Sequence, residues 1–186
     1  DVKPMLNDGS SSFPPLAAQL DLTGILSAQF ATVADVDDDG ALDIVTVGVQ
    51  GSTAVAVIRG DGASGFLPGA AFPVNLPGRV DDLDLADLDG DGDEDVAIMF
   101  GLDSVVTLLG DGAGGFTALP PFTLGLPTTM QIALGDLDSD GLPDLVAIHF
   151  TQLGAKPVSI RLGDGLGGFG APVTLPPLAA RTGRAQ

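Results

Sequence analysis

Three nine-residue stretches of the chain concentrate groups that could do chemistry: DVDDDGALD from Asp35, DLDGDGDED from Asp87 and DLDSDGLPD from Asp136. Counted from the first Asp, positions 1, 3, 5 and 9 are Asp every time. They are Asp35, Asp37, Asp39 and Asp43; Asp87, Asp89, Asp91 and Asp95; and Asp136, Asp138, Asp140 and Asp144. Position 6 is always glycine (Gly40, Gly92, Gly141). Carboxylates this close repel one another, and burying them without compensation is costly. Hard oxygens at alternate positions, followed by a glycine that allows a sharp turn, are how a short loop wraps Ca²⁺. The backbone carbonyl of position 7 (Ala41, Asp93, Leu142) is expected to complete each wrap, which leaves that side chain free to vary. In the second loop the Asp93 side chain is therefore expected to be free, with Glu94 outside the site.

Position 12 is where an EF-hand supplies a bidentate Glu; here it is Thr46, Ile98 or Ala147, within an apolar run. Closure of the site then falls to Asp43, Asp95 and Asp144. A set this rich in oxygen suits the high, flexible coordination of Ca²⁺ better than Mg²⁺, which keeps its waters. Zinc is disfavoured because the chain has no Cys and a single His. A solvated acidic loop explains one such stretch, but not three in phase. Three Ca²⁺ sites are expected, of the ~10⁻⁴–10⁻³ M affinity class of extracellular modules.

The elements that must hold these loops recur with them, in a unit of about 50 residues. Each loop follows a strand-like segment (ATVAD, LDLAD, IALGD) and precedes an apolar run (IVTVGV, VAIMF, LVAIHF). These runs are nearly continuous Val, Ile and Leu, as expected of strands buried on both faces. A second motif keeps phase with the first: RGDGASGF at 59–66, LGDGAGGF at 109–116 and LGDGLGGF at 162–169. An alternating apolar segment precedes it and a Pro-containing stretch follows. The predicted unit is strand, Asp loop, strand, strand, Gly-rich hairpin turn, strand, with no helix between units, which is the signature of a propeller-type blade.

The fold class is thus all-β: blades of four antiparallel strands with DxDxDGxxD calcium loops, about three and a half of them in a partial or open propeller. One repeat domain spans 1–186, divided into a half repeat at 1–28, repeats at 29–76, 77–126 and 127–178, and a tail at 179–186. The unit resembles the FG-GAP/VCBS repeat of integrin α-subunit propellers and of many bacterial surface and secreted proteins. VADVDDDGALDIVTVG, LLGDGAGGF and the FGAP at 169–172 carry the likeness. The resemblance implies four-stranded blades with a Ca²⁺ loop joining the first two strands, and an extracellular or cell-surface setting, bacterial by that likeness.

Composition narrows the function. The net charge is −18 and all acidic residues but Glu94 are Asp, a turn residue, yet 45% hydrophobic content is too apolar for a disordered acidic tail. Seven scattered basic residues argue against nucleic acid or an anionic membrane surface as partner. No run of ~18 apolar residues is present for membrane insertion. Arg59-Gly60-Asp61 spells an integrin-recognition tripeptide, but Gly-Asp belongs to the repeat's turn and only Arg is new. His149 lacks partners for a catalytic role, and GDGAGG lacks the Lys and helix of a phosphate loop. The expectation is a non-catalytic, calcium-stabilised module serving adhesion or assembly, with a protein or glycan surface ligand left open. Edge strands at the ends of an open array invite pairing with another copy. An accessory segment of a secreted enzyme and a Ca²⁺-dependent carbohydrate-binding module are the alternatives.

Overall fold

A computed structural model of the chain describes residues 27–50, 52–63, 65–67, 70–126, 128–150 and 157–175. These residues form three antiparallel sheets, one per repeat. The first holds β1 (Ser27–Ala34), β2 (Asp43–Gln50), β3 (Ser52–Ile58) and β4 (Ala70–Pro73), in that order. The second holds β5 (Val80–Ala86), β6 (Asp95–Phe100), β7 (Ser104–Gly110), β8 (Phe116–Ala118) and β9 (Phe122–Thr123). The third holds β10 (Thr129–Gly135), β11 (Asp144–His149), β12 (Val158–Arg161) and β13 (Val173–Leu175). Four strands in order recur in every sheet, and the second carries one short strand more. There Pro120 and Pro121, which cannot donate to a ladder, split the outer strand into β8 and β9, both paired with β7. All but the last two residues of the half repeat at 1–28, and the whole tail, lie outside the described residues.

Why the second strand of each unit reads as unbroken apolar sequence is visible in β6, where every residue is buried. Val96, Ile98 and Phe100 join Val45, Val47, Val55 and Val57 of the first sheet in one core cluster. Ala97 and Met99, on the other face, join Leu145, Ala147 and Ile132 of the third sheet in another. The period-2 alternation of a strand thus sends successive side chains into two different interfaces, and the sheets stack face to face.

Each first strand is bulged at the same point of the repeat, between Ala28 and Phe30, Val80 and Asp82, and Thr129 and Gln131. On the outer side, the Phe that ends the second and third Gly-rich motifs docks on the preceding sheet. Phe116 meets Phe72 edge-on with centroids 5.8 Å apart, and Phe169 meets Phe122 at the same separation. Arg161 stacks over the Phe122 ring and donates to the carbonyls of Thr123 and Gly170.

Candidate metal centres

Each Asp loop joins the first two strands of its sheet: 35–42 between β1 and β2, 87–94 between β5 and β6, and 136–143 between β10 and β11. Position 4 adopts a left-handed conformation in all three, filled by Asp38 (φ 56°), Gly90 (φ 81°) and Ser139 (φ 67°), and so does the glycine at position 6. That backbone turns successive amides inward. Gly40, Gly92 and Gly141 donate to the first Asp of their loops at 2.9–3.1 Å. The amides of Ala41, Asp93 and Leu142 donate to the fifth-position carboxylates at 2.8–2.9 Å.

Within this frame one carboxylate oxygen from each of Asp35, Asp37 and Asp39 lies within 4.8 Å of the others. The second loop gathers Asp87, Asp89 and Asp95 in the same way, and the third gathers Asp136, Asp138 and Asp144. Each group can hold a metal ion. Of the twelve carboxylates expected to converge, Asp43, Asp91 and Asp140 stand outside these triads. Two oxygens of the first loop fit a cation directly: Asp35 Oδ1 and Asp37 Oδ1 are buried with no hydrogen-bond partner. A buried acceptor without a donor is costly, and a hard cation is what two such carboxylate oxygens would bind.

The ninth-position Asp has a structural task that spacing alone does not reveal. Asp43, Asp95 and Asp144 are each buried. One oxygen accepts the amide of position 2 (Val36, Leu88, Leu137) at 2.8–3.1 Å. The other accepts the amide of the first glycine of the Gly-rich turn (Gly60, Gly110, Gly163) at 2.7–3.0 Å. The carboxylate staples the Asp loop to the end of the third strand. Burial raises the pKa of Asp95 to about 6, against the lowering effect of these two amides and with help from Asp89 and Asp91. Burial raises Asp43 as well.

The Gly-rich turn is shaped for this contact. A Cβ on Gly60, Gly110 or Gly163 would sit 2.5 Å from the carbonyl oxygen of Leu42, Glu94 or Pro143. Asp61, Asp111 and Asp164 each accept two amides of their own turn, which closes it. The tripeptide at 59–61 is consumed by the fold: Asp61 closes the turn, and Arg59 Nη1 pairs with Asp37 Oδ2 at 3.0 Å.

The loops also belong to the seams between sheets. Gly114 donates its amide to the Val36 carbonyl at 3.0 Å, and Gly167 donates to the Leu88 carbonyl at 3.2 Å. Each acceptor is position 2 of the preceding repeat's Asp loop. Asp82 and Asp84 on β5 accept the Ile132 and Leu134 amides of β10 at 2.9 and 2.8 Å. The Asp93 side chain, expected to be free, is engaged at the first seam. Burial and the nearby Asp91 raise its pKa, and Asp38 of the first loop is within hydrogen-bond reach of it. Glu94 stays outside the triad, its pKa raised by burial and by Asp87 and Asp84. His149 is buried, with its ring nitrogens 2.9 Å from Thr129 Oγ1 and 2.7 Å from Ser159 Oγ.

Stacked antiparallel sheets with an Asp triad between the first two strands of each define a blade-type repeat protein with loops typical of FG-GAP calcium sites. Comparison with protein families agrees: residues 35–98 match the family model of the FG-GAP-like repeat. The match runs from the first Asp loop into the strand after the second, and the third loop repeats the same bonds. No curated protein matches the chain.

Proposed function

We propose that the chain is a non-catalytic calcium-binding repeat module of a secreted or cell-surface protein, in which Ca²⁺ holds the blades together for adhesion or structural assembly. The observation that carries the reading is the threefold recurrence of one loop geometry, with carboxylate oxygens gathered at the same place in every blade. Calcium suits the all-oxygen donor set, and sites of this class fill at the millimolar concentrations found outside cells. His149 is held between two hydroxyls, and Asp82 and Asp84 cap amides, which supports a structural part for these three groups. Assembly is supported by the third blade. Its Leu137 is 53% exposed, whereas Val36 and Leu88 at the same loop position are buried, and Val173 and Leu175 on the last strand of the same sheet are exposed too.

Thermal unfolding with and without calcium tests the reading. At millimolar Ca²⁺ each site adds about 1–2 kcal/mol by mass action. Each kcal/mol moves Tm by about 2–4 °C for a chain of this size, so excess chelator is expected to lower Tm by roughly 10 °C. An unchanged Tm would refute calcium as the ligand.

A further inference from the structure

The three loops are not electrostatically equal. Position 59 opens the first Gly-rich motif with Arg, where the other two motifs carry Leu109 and Leu162. The Arg59 guanidinium lies 3.0 Å from Asp37 Oδ2, and Asp37 is a member of the first triad. Asp37 is nearly buried while Arg59 remains half exposed. The arginine stem is held beside Gly114 of the second blade's turn, whose ideal Cβ would come 3.9 Å from Arg59 Cδ. In the second and third loops the aligned carboxylates Asp89 and Asp138 accept instead an amide of their own loop, from Asp91 and Asp140.

From this difference we infer that Arg59 is an affinity-setting residue, which makes the first loop the weakest of three unequal calcium sites. The inference rests on the calcium reading of the loops. The guanidinium commits Oδ2 of Asp37 and leaves Oδ1 buried and without a hydrogen-bond partner. It therefore does not block the ion, but it places a fixed positive charge a few ångström from where a divalent cation must sit. Across a water-like dielectric at that range, the repulsion corresponds to about a tenfold loss in binding constant. The first site then fills only after the other two, and its occupancy depends on ionic strength in a way theirs does not.

Amide NMR resolves the sites one by one, because Gly40, Gly92 and Gly141 each donate to the first carboxylate of their own loop. Calcium titration of the whole chain is expected to move Gly92 and Gly141 first, and Gly40 at about tenfold higher concentration. Arg59→Leu should bring the Gly40 midpoint down to the others and leave theirs in place, while Arg59→Lys, which keeps the charge, should not. Raising NaCl on the unaltered chain should narrow the ratio between the Gly40 and Gly92 midpoints, a reading that needs no variant. Equal midpoints in the unaltered chain, or a Gly40 midpoint unmoved by Arg59→Leu, would overturn the inference while leaving calcium binding intact. Absence of any calcium-dependent shift at the three glycines would instead overturn the calcium reading, and this inference with it.

Discussion

Replacing Asp95 with Ala separates the staple from the ligand. Asp95 is 1% exposed and accepts two short amide bonds, 2.8 Å from Leu88 and 2.7 Å from Gly110. The Gly110 amide cannot back away to find another acceptor without disturbing the close approach of its Cα to the Glu94 carbonyl. Truncation therefore strands two amides. A buried donor without a partner costs about 1–3 kcal/mol, so the gross loss is about 2–6 kcal/mol. Part of this is offset, because removing the carboxylate also removes the burial and repulsion that raise its pKa to about 6. A net destabilisation of about 2–4 kcal/mol is expected, and it should appear in excess chelator, where no ligand role can contribute. Asp89 provides the contrast. It accepts one long bond of 3.3 Å from Asp91 and lies among like charges, so Asp89→Ala in chelator should change stability by less than about 1 kcal/mol and act mainly when calcium is present. Urea unfolding followed by circular dichroism, with each variant measured in chelator and in millimolar Ca²⁺, gives all four numbers. If Asp95→Ala in chelator costs no more than Asp89→Ala, the staple is wrong and Asp95 is only a ligand.

Acidity should act on the calcium-free protein with opposite signs through His149 and through the buried carboxylates, of which Asp95 is the most shifted. Burial lowers the pKa of His149, so the unfolded chain takes up a proton below its ordinary 6.5 while the folded one resists, and stability is lost as pH falls through that value. The raised pKa of Asp95 makes the folded state the better proton acceptor between about 3.8 and 6, so its contribution grows as pH falls across that range. In chelator, His149→Gln should therefore gain melting temperature relative to the unaltered chain when pH drops from 7 to 5, and a parallel response would contradict the assignment to His149. Gly110→Ala forces a Cβ to 2.5 Å from the Glu94 carbonyl; a loss of at least about 2 kcal/mol is expected in urea unfolding, and a neutral result would contradict the tight approach. Asp82→Ala with Asp84→Ala strips the acceptors from the Ile132 and Leu134 amides. Hydrogen exchange at those two amides should then quicken at least tenfold while β6 amides change little, and uniform exchange across both would contradict a local cap.

How much of this was legible beforehand can be judged residue by residue. The Asp loops, their place between the first two strands and the doubly buried second strand follow from spacing and apolar runs, because each is a local pattern repeated in one chain. The division of labour among carboxylates does not follow. Asp43, Asp95 and Asp144 look like ligands by spacing, and only the fold shows each of them bonded to a glycine amide fifteen or more residues away. Arg59 read as a chance variation in a turn because its partner Asp37 lies on another strand connection. The signal for the Asp82 and Asp84 caps is a strand, VDDLDLA, that alternates Asp with Leu where the aligned strands carry Phe30 and Thr32 or Gln131 and Ala133. An acidic stripe on a part-buried first strand needs donors opposite it, and the next blade supplies them.

These bonds make the loop more than a site hung on a blade. Position 2 of each loop lies between two triad carboxylates in sequence, donates its amide to the ninth-position Asp and, in the first two loops, gives its carbonyl to the glycine of the following blade. A cation that fixes the loop therefore fixes at once the staple to its own third strand and the acceptor for the next turn. Stability in stacked repeats is a sum of unit terms and nearest-neighbour terms, and here one ion would enter both. Loss of calcium from the first or second loop should then loosen the blade that follows as much as the blade that binds it.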